Sequence, residues 1–259
     1  LTPSTSIAYA KALHLFLPEG VIICGRDSRP SGDLLQEAIV NELVCLGRTV
    51  IDCGIVPTPT VQFIVHNSEA IGGFIVTASH NPIEWNGLKF LRSDSTFFNL
   101  DDCRDFFELV DKNIDLTFPE EPGLVWKQQN AIQKHIIACA SISCIDLNRI
   151  QKRKFKIVID AVNGAGAIAL PALLEILGCE VIELNCEPDG NFTRGTEPLP
   201  ENLTELSQLV IDQEADAGFA VDPDADRLAI VNEKGEPLGE EYTLVIAADG
   251  YLKDTGRRE

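Results

Sequence analysis

Methionine is absent from all 259 residues, and tryptophan occurs only twice, at Trp85 and Trp126. A chain of this size ordinarily has several methionines, an initiator among them. No apolar run approaches the roughly 20 residues that a membrane-spanning helix needs. No signal-peptide layout opens the chain, because Lys11 and His14 interrupt the first apolar helix. Positive charge is scarce: 21 Lys and Arg stand against 40 Asp and Glu, for a net charge of −19. That balance argues against nucleic acid as a partner, since such binding rests on clustered basic residues, and an anionic lipid surface would repel the chain. An anionic substrate would need local help from a metal ion or a few basic side chains. No Cys-x-x-Cys pair occurs among Cys24, Cys45, Cys53, Cys103, Cys139, Cys144, Cys179 and Cys186. These cysteines read as reduced packing residues of a cytoplasmic protein rather than as disulfides or zinc ligands.

What is present is the length of two domains and the composition of an ordinary globular protein. Thr2-Pro3 predicts a helix start, with Ile7, Ala10, Leu13 and Leu17 on one face. Strands are expected at 21–24, 49–53, 71–76 and 88–91. A helix with Leu35, Ile39, Leu43 and Leu46 inside lies between the first two, and a short one opened by Pro57 and Pro59 between the next two. Helices are expected at 100–112 and 131–145. Residues 148–156, with Lys152-Arg153-Lys154, read as a hydrophilic junction. The pattern then repeats: strand 156–160, a helix ending at Gly178, strand 180–184, a turn-rich excursion, a helix near 203–213, strands 217–221 and 228–231, and a closing helix 240–253.

Strands alternating with helices imply an α/β protein. Two similar three-layer α/β/α domains are expected, 1–150 and 151–259, each a mostly parallel sheet whose last strand returns antiparallel after a short loop. In both copies the conspicuous polar loop follows the third strand, where open α/β sheets collect ligands.

Those two loops carry the chemistry. In Val221-Asp222-Pro223-Asp224-Ala225-Asp226-Arg227, three carboxylates alternate directly after a buried-looking strand. If the loop curls they converge, and oxygen-only ligands suit a hard cation, Mg²⁺ above all. A Ca²⁺ loop of EF-hand type is a weaker reading, although Glu233 falls at its twelfth position. Arg227 stands where that loop needs glycine, and strands flank it. The aspartyl nucleophile of haloacid-dehalogenase-type phosphatases is a further reading of Asp222-x-Asp224. The other loop is Thr77-Ala78-Ser79-His80-Asn81-Pro82. Adjacent Ser79 and His80 have poor geometry for a general-base pair, and no Gly-x-Ser-x-Gly elbow is present. Ser79 therefore reads as a phosphoryl acceptor, and its phosphate would suit a nearby Mg²⁺. Lys89, between Leu88 and Phe90, is a candidate proton carrier.

Thr77 to Pro82, followed by Asn86-Gly87-Leu88-Lys89-Phe90 and then Asp222 to Arg227, resembles the α-D-phosphohexomutase superfamily of phosphoglucomutases, phosphomannomutases and phosphoglucosamine mutases. Gly25-Arg26-Asp27-Ser28-Arg29 and Val56-Pro57-Thr58-Pro59 resemble its first domain. Asp160-Ala161-Val162-Asn163-Gly164 and Glu197-Pro198-Leu199-Pro200-Glu201-Asn202 resemble its second. The resemblance implies a serine phosphorylated at Ser79 and Mg²⁺ held by Asp222, Asp224, Asp226 and a phosphoserine oxygen. It implies an acid or base role for Lys89, with His80 and Arg227 beside phosphate and metal. The implied reaction interconverts hexose 1-phosphates and 6-phosphates through a hexose 1,6-bisphosphate, with a slight lean toward the phosphomannomutase/phosphoglucomutase branch. Phosphoglucosamine mutase is the alternative substrate class, and a non-catalytic sugar-phosphate-binding or Ca²⁺-binding protein, or an aspartyl-phosphate phosphatase, the alternative kind of protein.

The family has four domains, and the resemblance covers two. Its upstream Arg-Gly motif, sugar-reading loop and phosphate-gripping loop have no match here. Arg29-Pro30-Ser31-Gly32 and Arg194-Gly195-Thr196-Glu197-Pro198 look like pieces of that last loop, but their places in the first two domains mark them as coincidental. A fragment that partners C-terminal domains of the same chain is expected, binding Mg²⁺ weakly and turning over little hexose phosphate alone.

Overall fold

The computed structural model describes residues 1–112 and 114–256. Its contacts divide the chain into two compact units, Leu1–Ala78 with Ile83–Ala131, and Ser79–Pro82 with Ile132–Glu259. Relative to a junction at 150/151, this division places residues 132–150 with the second unit.

The first unit runs α1 (Pro3–Phe16), β1 (Ile22–Arg26), α2 (Gly32–Cys45), β2 (Val50–Ile55), α3 (Thr58–His66), β3 (Gly72–Val76), β4 (Leu88–Arg92), α4 (Leu100–Lys112) and β5 (Val125–Lys127). Thr2 caps α1: its hydroxyl accepts from the Thr5 N–H at 3.3 Å, and the Thr5 hydroxyl accepts from the Thr2 N–H at 2.8 Å. Pro3 at the first helical position loses nothing by lacking an N–H. The sheet order is β4-β3-β1-β2-β5, with only β4 antiparallel to its neighbour.

β1 is the central strand, and Ile22, Ile23 and Cys24 are all fully buried, as expected where both faces of a parallel sheet are covered. Alternation decides what each side chain meets. Ile22, Cys24, Phe74 and Val76 pack with Leu13, Leu35, Ile39, Leu43 and Phe106 of α1, α2 and α4. The opposite face takes α3, whose Val61 and Val65 lie where side chains at Gly25 and Gly73 would otherwise stand. Each buried aliphatic or aromatic side chain stabilises the unit by about 1.5–3 kcal/mol. β5 is an edge strand of three exposed residues that the sequence reading did not contain.

The second unit runs α5 (Ala131–Ala140), α6 (Leu147–Arg153), β6 (Lys156–Asp160), α7 (Gly166–Ile176), β7 (Glu180–Leu184), a 3₁₀ turn (Pro200–Asn202), α8 (Thr204–Asp212), β8 (Ala217–Val221), β9 (Leu228–Asn232) and α9 (Glu240–Thr255). The segment read as a hydrophilic junction contains α6, a helix with no buried residue. The Asp146 carboxylate accepts from the Arg149 N–H at 3.0 Å, and Lys152 and Arg153 sit in the last turn, where cations suit the helix dipole. The sheet order is β7-β6-β8-β9, with β9 antiparallel. Val158 faces α8 through Leu206 and Val210, while Ile157 and Ile159 face α7 through Leu174. Read from the antiparallel strand inward, the first four strands of each unit follow one order: β4-β3-β1-β2, then β9-β8-β6-β7.

No described helix is long and apolar enough to cross a membrane. All eight cysteines are free thiols.

Candidate metal and phosphoryl site

β8 ends at Val221, and the chain leaves the sheet with Asp222 and Asp224 fully buried and Asp226 exposed. One oxygen from each carboxylate lies within 4.8 Å of the others. The loop curls because Asp222 holds it from inside. Its Oδ1 accepts from the Asp226 and Arg227 N–H groups, both at 3.1 Å, and its carbonyl accepts from the Ala225 N–H at 3.0 Å. Ala225 takes a φ of 52° to close that turn. The loop is also held from the β6 end, where the Ala165 N–H donates to the Pro223 carbonyl at 2.8 Å. Gly164 permits this approach, since a Cβ there would lie 2.6 Å from the Pro223 oxygen.

Three carboxylates this close repel one another. Burial first, and then the Asp224 and Asp226 charges, push the Asp222 carboxyl up to about 8. The donor set is all oxygen and gathers three carboxylates within one small volume, so it fits a hard divalent cation.

Ser79 follows β3 by three residues. The segment's roots lie in the first unit. The Thr77 N–H donates to the Gly87 carbonyl at 3.0 Å, and the Thr77 hydroxyl donates to Asp27 Oδ2 at 2.7 Å. Arg29 Nε donates to the same oxygen at 2.9 Å, and its NH1 to the Trp85 carbonyl at 3.1 Å. A buried pair, Asp27 and Arg29, thus holds both ends of the segment that leaves at Thr77 and returns at Trp85. Between those ends, Ser79–Pro82 group with the second unit.

There the Ser79 hydroxyl donates to Asp222 Oδ2 at 3.3 Å and stands 3.4 Å from His80 Nδ1. Ser79 has a φ of 52°, a left-handed conformation that costs a non-glycine residue about 1–3 kcal/mol. Such strain persists only where surrounding contacts hold it. Arg227 NH1 donates to Glu197 Oε1 at 2.6 Å.

Of the residues singled out from sequence, Ser79, His80, Asp222, Asp224, Asp226 and Arg227 fall in the second unit's cluster of contacts. Lys89 belongs to the first unit. It pairs with Ile75 across β3 and β4, and its ammonium lies 5.7 Å from the centre of the Phe97 ring. Glu197 and Thr196 were not singled out as site residues. Both lie in the excursion after β7, whose turn residues give no periodic signal. The left-handed Ser79 also had no sequence signal, because serine at that position looks like any turn residue.

The repeated strand order and the loops at the ends of the third strands define a two-unit α/β protein with a carboxylate cluster after one of those strands. Residues 1–113 match the model of the phosphoglucomutase/phosphomannomutase α/β/α domain I, and residues 133–235 that of domain II. A Methanopyrus kandleri protein named "Probable phosphoglucosamine mutase" is 35% identical over 257 residues, which are 99% of this chain and 56% of that protein. A Thermococcus kodakarensis "Phosphoglucomutase/phosphomannomutase" is 37% identical over 267 residues, covering 99% of this chain and 57% of that one. The crystal structure of a Burkholderia thailandensis phosphoglucomutase/phosphomannomutase family protein superposes with a TM-score of 0.80 at 26% identity, over 98% of this chain and 56% of that one. The chain belongs to the α-D-phosphohexomutase superfamily and carries its domains I and II. It spans a little over half the length of these relatives.

Proposed function

We propose that this chain supplies the phosphoserine and metal-binding parts of a phosphohexomutase, an intramolecular phosphotransferase that interconverts hexose 1- and 6-phosphates through a hexose 1,6-bisphosphate. The observation that carries this reading is the Ser79 hydroxyl, 3.3 Å from Asp222 Oδ2 and so at the edge of the three-aspartate cluster. A phosphate on Ser79 would bring close to two further negative charges against three carboxylates, an arrangement stable only with a cation between them.

The donor set fits Mg²⁺, with Asp222, Asp224, Asp226 and a phosphoserine oxygen as ligands. Bound there, the ion would offset charge on the phosphoryl oxygens. Asp222 holds the loop in its curled form through two backbone N–H groups. His80 and Arg227 would stand beside the phosphate, Arg227 exchanging its Glu197 partner for a phosphate oxygen. Lys89 moves the proton of the sugar hydroxyl. By sequence the phosphoserine loop falls within 1–150 and the metal loop within 151–259, while the contacts of Ser79–Pro82 group them with the second unit. The substrates are hexose phosphates and their 1,6-bisphosphates, in the cytoplasm, and the sugar is of the phosphomannomutase/phosphoglucomutase type with the glucosamine phosphate as alternative.

The test is peptide mass spectrometry after incubation with glucose 1,6-bisphosphate and Mg²⁺. One phosphate on the peptide containing Ser79, abolished in Ser79→Ala, is the expected result. A phosphate on Asp222 instead would replace the mutase with an aspartyl-phosphate enzyme.

A further inference from the structure

The segment Arg194-Gly195-Thr196-Glu197 touches three separate pieces of the site within four residues. Arg194 is nearly buried beside Asp160, with side-chain exposures of 9% and 2%. Its Nε donates to Asp160 Oδ2 at 2.7 Å, and its NH2 to the Val221 carbonyl at 2.8 Å. Val221 is the residue before Asp222, so this arginine fixes the root of the aspartate loop. The Thr196 hydroxyl donates to the carbonyl of His80, the residue after Ser79. Glu197 accepts from Arg227, the residue that closes the aspartate loop.

The segment is itself held in place. The Asn202 amide donates to the Glu197 carbonyl at 2.8 Å, and the Leu199 N–H donates to the same carbonyl at 2.8 Å. Asn202 lies so close over Gly195 that a Cβ there would have no room. Pro198 and Pro200 restrict the turn further. A stiff segment anchored at Asp160 and Asn202 has little freedom to follow its neighbours, so its neighbours follow it.

We propose that Arg194–Glu197 is a positioning loop, with Thr196 the residue that holds Ser79 in its left-handed conformation facing the aspartates. What the site does rests on the phosphohexomutase reading; where Thr196 holds it does not. The strained φ of Ser79 needs an external constraint. The hydroxyl contact from Thr196 pins the carbonyl of the next residue, His80, and so limits how far the chain leaving Ser79 can swing to relieve that strain.

The experiment compares wild type, Thr196→Val and Thr196→Ser by hydrogen exchange of the amides in 78–82, and by the rate of Ser79 phosphorylation from glucose 1,6-bisphosphate with Mg²⁺. Thr196→Val keeps the shape and removes the hydroxyl; Thr196→Ser restores it. Exchange in 78–82 should rise about tenfold in Thr196→Val, as loss of one intramolecular hydrogen bond allows. The rest of the second unit should exchange as before, and Thr196→Ser should return the loop to wild-type behaviour. Phosphorylation should slow in Thr196→Val and recover in Thr196→Ser. Unchanged exchange in 78–82 overturns the proposal, and so does an increase spread over the whole second unit. If wild type takes no phosphate at all, the mutase reading fails, while the exchange comparison still decides the role of Thr196.

Discussion

Replacing Arg29 by methionine should destabilise the first unit far more than loss of a surface ion pair. Arg29 and Asp27 have no side-chain exposure, and Arg29 Nε lies 2.9 Å from Asp27 Oδ2. Methionine fills similar volume but leaves a buried carboxylate without its cation. Breaking a buried pair from one side costs about 3–5 kcal/mol, against about 0–1 kcal/mol for an exposed pair. With a urea dependence of about 2 kcal/mol per molar for a unit of this size, the unfolding midpoint should fall by about 1.5–2.5 M. Pulsed hydrogen exchange during urea unfolding, read on peptides from β1 and β3, follows the first unit alone. The companion is the double variant Asp27→Asn/Arg29→Met, which removes the stranded charge. It should be more stable than Arg29→Met, and that ordering is the signature of an uncompensated charge rather than of lost packing. Were the single variant to lose less than about 1 kcal/mol, or the double variant to be the weaker of the two, the account of this pair as the anchor of the Ser79 segment would be wrong.

Three further outcomes follow from other contacts. Arg48 Nε donates to His14 Nδ1 at 3.1 Å, so His14 must be neutral; burial, then the Arg48 charge, holds it below its ordinary 6.5. A depressed folded value means that this stabilisation is complete above 6.5 and is lost as pH falls through the folded value, with Arg48 and the nearby Glu19 the charges in play. His14→Asn should flatten the decline of first-unit stability below pH 6.5, checked by melting temperature against pH. Asp222→Asn should raise the melting temperature in metal-free buffer, because it removes one of three mutually repelling carboxylates, yet weaken Mg²⁺ binding by at least about tenfold in calorimetry. Gly164→Ala should cost the second unit about 1–3 kcal/mol by overpacking against the Pro223 backbone, and should weaken Mg²⁺ binding too, since Pro223 lies between two of the aspartates.

Much of this architecture was legible because parallel strands buried on both faces are short apolar runs, as in Ile22-Ile23-Cys24 and Ile157-Val158-Ile159. Polar loops at their ends then stand out. The segments that were not legible lack such contrast. Val125-Trp126-Lys127 has three exposed residues and joins the sheet through its backbone register with β2 and a Lys127–Asp52 ion pair at 3.9 Å. α6 is a seven-residue hydrophilic helix with no buried residue. In the site, composition drew attention to Ser79 and the aspartates, whose residue types are unusual at the end of a strand. It gave no reason to choose Thr196 or Glu197, whose importance lies in what they touch. Arg194-Gly195-Thr196-Glu197-Pro198 stands out in the sequence only through a coincidental likeness to another loop. Its contacts depend on the fold around Asp160 and Asn202, which letters alone do not show.

Among the described residues, a buried arginine–aspartate pair stands at the end of each sheet's central first strand, yet the chain reaches it by different routes. In one, the cation comes two residues after its aspartate, Asp27 to Arg29; in the other it comes 34 residues later, Asp160 to Arg194. Each joins the end of its sheet's central first strand to the end of the third, one through the Thr77 hydroxyl and the other through the Val221 carbonyl. Aligning the two halves letter by letter would therefore miss the correspondence. Swapping their loops as interchangeable cassettes would strand one buried carboxylate and import a second guanidinium with nothing to neutralise.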